Sequence, residues 1–365
     1  MSDRPTLISL LALARQHDAS DLHLHCGTPP LGRIHGEMVP LHEEILDSTT
    51  CWELIQSVLS EEQRAKFEQN RELDFALDFP EAGRFRGNAH YSRGGPEAVF
   101  RHIKTVVPDL ETLGHRPTLI ELCKREEGLI ILTGMTGAGK TTTMASMIQH
   151  ISNTRSGVII TIEDPIEYLL QDSLCIVKQR EVGADTKTFA SGLRQMLKQD
   201  PDVIVVGEMG DRETMQVALS AAETGHLVIG TLHTIDAPNS IHRIVDFFPA
   251  EQQDQILTQL ASCLLAIVSQ RLLPRADGQG RVIATETMVA NPGIRACIRH
   301  RKVHIIPGLM ETGVQEGMNT LDDSLVQLLN TGLITHNEAL IHARDRNRFP
   351  LPQAAPKKKR KFFGG

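Results

Sequence analysis

Eight residues, Gly134-Met-Thr-Gly-Ala-Gly139-Lys140-Thr141, restrict what this chain can become more than any other stretch. They fit G-x-x-x-x-G-K-[ST], a loop whose glycines let successive backbone N–H groups converge on one anion. In front lies the short apolar run Leu129–Leu132, which reads as a buried parallel strand. Behind it, a helix expected from about Thr141 to His150 adds the positive end of its dipole. Strand, loop and helix in that order make a phosphate cradle. Its expected binding set is Gly134, Thr136, Gly137, Ala138, Gly139, Lys140, Thr141 and Thr142. Lys140 can reach the β- and γ-phosphates, and the Thr141 hydroxyl can ligate Mg²⁺. The expected ligands are therefore ATP and Mg²⁺.

Composition removes several alternatives. The 365 residues carry 38 basic and 45 acidic side chains, a net charge of −7. No global attraction to nucleic acid follows from that balance. Aromatics make up only 4%, which leaves few platforms for stacking bases. The cysteines at 26, 51, 123, 175, 263 and 297 are scattered, with no C-x-x-C pair, so reduced thiols in a cytosol are expected. No apolar run approaches the roughly 18–20 residues that span a bilayer. Leu7–Ala14 faintly imitates a secretory leader, but it is short, and Asp3 cancels Arg4. Residues 5–17 are read as a buried helix instead.

Along the chain, residues 1–104 predict a small α+β, PAS-like domain: strands at 21–25 and 31–34, one helix over 49–69, then β-runs at 72–79, 84–91 and 97–104. Residues 105–117, with two prolines and a glycine, read as a linker. From 118 to 290 the pattern becomes βα units, with strands at 129–133, 158–162, 203–206 and 227–231. That predicts an α/β, RecA-like P-loop NTPase core, a parallel sheet covered by helices. A helical region is expected over 291–349, at 292–302, 320–330 and 335–345. Residues 350–365 form a basic tail, Lys357–Lys361 followed by Phe-Phe-Gly-Gly, read as a solvated, disordered end. Without those five charges the net value moves from −7 to −12.

Three further segments carry chemistry. Val203-Ile-Val-Val206-Gly207-Glu208 is an apolar strand ending in a carboxylate, expected to hold Mg²⁺ through water or to orient the attacking water. Ile159–Glu163, followed by Asp164 and Glu167, brings acids to the same edge. Glu163 is the candidate general base and Glu208 its close rival. In Glu223-Thr-Gly225-His226-Leu-Val-Ile-Gly230-Thr231-Leu232-His233, two histidines bracket a strand. No third ligand stands at metal-binding spacing, so the expectation for His226 and His233 is a hydrogen bond that senses the γ-phosphate. Arg86 and Arg101, at the ends of β-runs, read in isolation as ordinary surface residues.

With these segments placed, the chain resembles the bacterial type II/type IV secretion ATPase superfamily, and within it the twitching-motility pilus-retraction ATPases. The loop at 134–141, TIEDPIEY at 161–168, VVGEM at 205–209 and AAETGHLVIGTLHT at 221–234 carry the resemblance, together with DASDLHLHCGTPPLGRIHGEMVPL at 18–41. It covers about 1–349. It implies a homo-hexameric ATPase driving pilin disassembly at the cytoplasmic face of the inner membrane, through a membrane platform protein and with pilin as an indirect partner. It also implies that Arg86 and Arg101, in RFRGNAHYSRGGPEAVFR, act as arginine fingers on the γ-phosphate. Hydrolysis would work a hinge at the linker.

Two departures stand out. Gly210 occupies the position after GEM where Arg is usual. The run Gly293-Ile-Arg295-Ala-Cys-Ile-Arg299-His300 keeps Ile294, Arg295, Ile298 and Arg299 of a retraction box but not its terminal Glu. Pilus-extension and type II secretion ATPases usually carry a longer N-terminal part and a four-cysteine zinc module, and neither is seen here. A DNA translocase uses the same core, but the acidic body and scarce aromatics argue against it, so no nucleic-acid partner is expected. A non-hydrolysing regulator fits poorly with Glu163 and Glu208 in place.

Overall fold

The computed structural model describes residues 4–34, 36–103 and 106–350. Lys104 at the end of the expected β-run, Thr105 of the expected linker, and the tail from 351 on lie outside the described residues. The chain divides into two compact units, one holding residues 1–106 with Ile166–Leu169 and the other the remainder.

The first unit opens with α1 (Leu7–Gln16), capped by Thr6, whose hydroxyl accepts from the Ser9 N–H at 3.1 Å. Leu7, Leu10, Leu11 and Ala14 fall on one face at helical spacing and are buried. The apolar run of the leader mimic is thus part of a core. After it come β1 (Asp21–Leu24), β2 (Leu31–Ile34) and β3 (Glu37–Pro40), then α2 (Ser48–Gln56) and α3 (Glu61–Asn70). The single helix expected over 49–69 is therefore two. The first ends at Gln56 with Ser57 as its cap, and Ser60 starts the second: its hydroxyl accepts from Gln63 N–H at 3.2 Å while Gln63 Oε1 accepts from Ser60 N–H at 2.9 Å. This reciprocal box is worth about 1 kcal/mol and requires extended backbone at Ser60.

A meander of β4 (Glu72–Phe79), β5 (Gly83–Ser92) and β6 (Gly95–Ile103) completes an antiparallel sheet ordered β3-β2-β1-β6-β5-β4. Alternation gives it two unlike faces. Leu22, Leu24, Phe75, Phe85, Ala89, Ala98 and Phe100 form the buried one, with α1, α2 and α3 contributing to the same core. Gly87 has to lack a side chain, because a Cβ there would come within 2.6 Å of the Phe75 ring. On the opposite face, register places Arg33, Asp21, Arg101 and Arg86 in one rung across β2, β1, β6 and β5.

The second unit starts with α4 (Pro117–Cys123), β7 (Gly128–Thr133), α5 (Lys140–Thr154), β8 (Gly157–Glu163), β9 (Cys175–Glu181) and α6 (Phe189–Met196). β10 (Val203–Val206), α7 (Arg212–Glu223), β11 (Leu227–Leu232), α8 (Ala237–Asp246), α9 (Ala250–Cys263), β12 (Leu264–Pro274) and β13 (Arg281–Val289) follow. The sheet order is β13-β12-β7-β11-β10-β8-β9, parallel except for β13. Alternate residues of each inner strand face opposite layers. Leu129, Ile131, Ile204 and Val228 pack among α6, α7 and α9, while Ile130, Leu132, Val205 and Ile229 pack among α4 and α5. Continuous apolar runs are what burial on both faces requires.

The C-terminal helices are α10 (Pro292–Arg299), α11 (Ile306–Thr312), α12 (Leu321–Asn330) and α13 (His336–His342). Leu321, Leu325, Leu328 and Phe349 close a core on Leu273 and Ala284 of the β12–β13 hairpin. The end is also clasped by charge. Arg344 Nη1 lies 2.8 Å from buried Glu286 Oε2, its Nη2 lies 3.3 Å from Asp236 Oδ2, and Asp322 accepts the N–H groups of Arg344 and Asp345. Burial raises the Glu286 carboxyl above its usual range, against the opposing pull of Arg344.

Candidate active site

β7, buried at every position, delivers the chain to the phosphate loop. Gly134 must be glycine, because a Cβ there would lie 2.5 Å from the Gln270 carbonyl oxygen. Gly137 and Gly139, with φ of 80° and 87°, turn the loop, and Gly139 caps α5 in the left-handed region that glycine tolerates best. Lys140 is buried and donates to the carbonyls of Gly134 and Met135 at 2.7 and 3.3 Å, so its ammonium lies inside the loop's own curve. A cavity of about 350 Å³ opens in front of Gly134–Ala138 and is closed by Ile235, Gln270–Leu272 and His342.

The parallel sheet gathers strand ends along one edge. Thr133 pairs with Leu232, and Val206 with both Gly230 and Ile162, so the loop, Glu163, Glu208 and His233 all leave the sheet from that edge. This is where open α/β sheets bind ligands. Glu163 ends β8 at 5% exposure, and its Oε1 accepts from Thr161 Oγ1 at 2.7 Å and Gln179 Nε2 at 3.0 Å. A carboxylate held by two donors has a fixed direction. Glu208 is more open, and its Oε1 lies 3.4 Å from His233 Nε2. A Cβ at position 210 would come within 2.8 Å of that same oxygen, so Gly210 leaves the room this carboxylate occupies. Glu208, Gly210, His233, Arg243 and Phe247 border a second cavity of about 270 Å³.

One expected residue does not join this cluster. His226 precedes β11, and Leu227 pairs with Gly128, the first residue of β7. Six residues of strand, about 20 Å at the usual rise, separate it from the phosphate-loop edge. Its Nδ1 lies 3.1 Å from the carbonyl oxygen of Ala221 in α7. The γ-phosphate contact expected of His226 is therefore corrected to a tie on the last turn of a helix. His233, at the other end of the strand, stays with the cluster. Glu167 falls in the Ile166–Leu169 segment, which groups with the first unit. Arg86 and Arg101 belong to the first unit, where they stand opposite each other on β5 and β6.

Other groups at the site went unnoticed in the sequence. Thr133 Oγ1 bonds the carbonyl and hydroxyl of Thr234, and the Thr234 hydroxyl lies 2.6 Å from Ser240 Oγ, tying the loop's root to the segment after His233. Behind the loop, Gln270 Nε2 donates to Thr143 Oγ1 at 2.8 Å, and His115 Nε2 meets the same oxygen at 2.8 Å. Burial pushes the His115 imidazole down to about 4. No local pattern around His115 marks it, because its partner stands 28 positions later.

The donor chemistry suits a magnesium nucleotide. The loop's curve lets successive N–H groups converge on an anion, and a Cβ at Gly137 would meet nothing within 4 Å, so the cradle is open on that side. Thr141 and the carboxylates offer hard oxygen donors. Among the described residues no group of three His, Cys, Asp or Glu forms a metal cage. Mg²⁺ commonly binds without one, through one or two protein oxygens, phosphates and water.

Residues 33–332 match the family model described as type II/IV secretion system protein. The chain belongs to that family. Among members, it is 42% identical to the type IV pilus retraction ATPase PilT of Pseudomonas aeruginosa over 94% of this chain and 98% of that protein. It is 41% identical to the type IV pilus ATPase PilU of the same organism, over 93% of this chain and 88% of the other. A crystal structure of the pilus retraction motor PilT with bound ADP superposes with a TM-score of 0.88 at 45% identity, covering 94% of this chain and 98% of that one.

Proposed function

We propose that this chain is a magnesium-dependent ATPase motor that drives retraction of type IV pili, working as a homo-hexamer. The observation that carries the reading is near end-to-end similarity to a retraction ATPase, combined with an intact phosphate loop that leaves the sheet from the same edge as Glu163, Glu208 and His233. The loop amides and Lys140 hold the β- and γ-phosphates, and Thr141 with Glu208 holds the metal. When bound, Mg²⁺ neutralises charge on the phosphates. Glu163, fixed by Thr161 and Gln179, accepts a proton from the attacking water. Glu208 and His233 orient that water. Arg86 and Arg101 supply positive charge to the γ-phosphate as arginine fingers.

No helix among the described residues is long and apolar enough to cross a membrane. The motor acts at the cytoplasmic face of the inner membrane, held by a platform protein, and reaches pilin indirectly. Nucleic acid is not part of the reading. Purified protein is expected to hydrolyse ATP, to elute at the mass of six protomers, and to ignore double-stranded DNA, while Lys140→Ala removes turnover. Substantial turnover by Lys140→Ala overturns the assignment of the loop, and DNA-stimulated turnover moves the protein to the translocases.

A further inference from the structure

The rung Arg33–Asp21–Arg101–Arg86 on the polar face of the first unit holds a carboxylate that the phosphate chemistry above does not use. Asp21 is 6% exposed. Its Oδ1 accepts from Arg101 Nε at 2.9 Å and its Oδ2 from Ser20 Oγ at 2.8 Å. Ser20 is itself pinned to both neighbouring strands: its N–H donates to the Arg33 carbonyl at 2.9 Å, and its carbonyl accepts the His102 N–H at 3.1 Å. The hydroxyl that holds Oδ2 thus belongs to a residue fixed by backbone.

Its grip on Arg101 is side-on. A guanidinium held through Nε keeps its two terminal nitrogens on the far edge, the edge that binds phosphate in a bidentate fork. The rest of the Arg101 side chain is open, at 63% exposure. Arg86 stands directly across from it, and two like charges at that spacing repel unless something compensates. Buried Asp21 supplies that compensation from the opposite flank. His23, two residues along β1, registers the same field: burial lowers its pKa, Asp21 opposes the shift, and Arg33 and Arg101 add to it.

We infer that Asp21 is a positioning residue that orients the Arg101 guanidinium so its terminal nitrogens meet a phosphate. The inference rests on the phosphate role proposed for Arg101. Without Asp21, Arg101 keeps its charge but loses its direction, and a misplacement near 1 Å is enough to slow chemistry about a hundredfold.

The test uses the full chain and measures kcat and KM for ATP in Arg101→Ala, Asp21→Asn, Ser20→Ala and the double variants Asp21→Asn/Arg101→Ala and Ser20→Ala/Arg101→Ala, with melting temperatures in parallel. Asp21→Asn is expected to lower kcat about ten- to hundredfold with KM little changed. The Asp21→Asn/Arg101→Ala variant is expected to be no slower than Arg101→Ala alone, because the two residues act as one unit. Ser20→Ala, which frees only Oδ2, should slow turnover less, and not at all in the Arg101→Ala background. Full turnover in Arg101→Ala refutes the finger itself. A slow Arg101→Ala beside a fully active Asp21→Asn refutes the inference and leaves the finger standing. Multiplying effects in Asp21→Asn/Arg101→Ala refute it too, by placing Asp21 in a different task. If Asp21→Asn melts too low to assay, the Ser20→Ala pair decides by the same additivity.

Discussion

Acid should weaken the ATPase unit through one imidazole. His115 is buried, and its ring meets Thr143 at the end of the first turn of the phosphate-loop helix. Burial, with no compensating charge, takes its pKa from 6.5 down to about 4. The unfolded chain therefore binds this proton at a pH where the folded protein refuses it. Stability from the neutral ring is present above pH 6.5 and is lost as pH falls toward about 4. The full difference amounts to roughly 3 kcal/mol, of which about 2 kcal/mol is gone by pH 5. Calorimetric unfolding of wild type and His115→Gln at pH 7.5 and pH 5.0 isolates it, since Gln keeps a polar partner for Thr143 and takes no proton. Wild type should lose about 2 kcal/mol more than the variant between the two pH values. Equal losses in both proteins would show that the buried ring titrates normally and that burial alone does not exclude the proton.

Two further outcomes follow from the site. Removing the general base should slow hydrolysis by roughly 10²–10⁴-fold, so Glu163→Ala, Glu208→Ala or both should show that loss in steady-state turnover. Normal rates in both would remove the two carboxylates from the mechanism. If the arginines act between subunits, slow Arg101→Ala protein mixed with inactive Lys140→Ala protein should turn over ATP faster than the two preparations measured apart, because some composite sites then carry neither lesion. Mixed rings that show no such gain would count against action in trans.

Where the sequence speaks clearly, a local requirement is steep. The phosphate loop is legible because glycine at 134, 137 and 139 answers backbone needs few other residues meet, and the inner strands because burial on both faces demands unbroken apolar runs. The β12–β13 hairpin went unseen because Leu264–Val268, following directly on α9, is as apolar as a continuing helix. Edge strand β9, half polar, lacks that pattern altogether. The break at Ser60 was available as Ser-x-x-Gln, but the apolar spacing from Trp52 to Phe67 masked it. For His226 the order of residues already held the answer. A residue that precedes a strand in a parallel sheet sits at the amino edge, whatever its spacing from a partner beyond the strand. The Asp21–Arg101 pair, 80 positions apart, became visible only once β1 lay beside β6.

The clasp of Arg344 on Glu286 and Asp236 decides where the chain can be shortened. Cutting ahead of Arg344 would strand a buried carboxylate and loosen Asp236, the cap of α8, which stands three residues after His233. Such a truncation would blunt the motor for reasons unrelated to the lysines at 357–359. Ending the chain just past Phe349 spares both the clasp and the small core that Phe349 completes. Any defect that remained would then belong to the tail from 351 to 365, which holds the basic run.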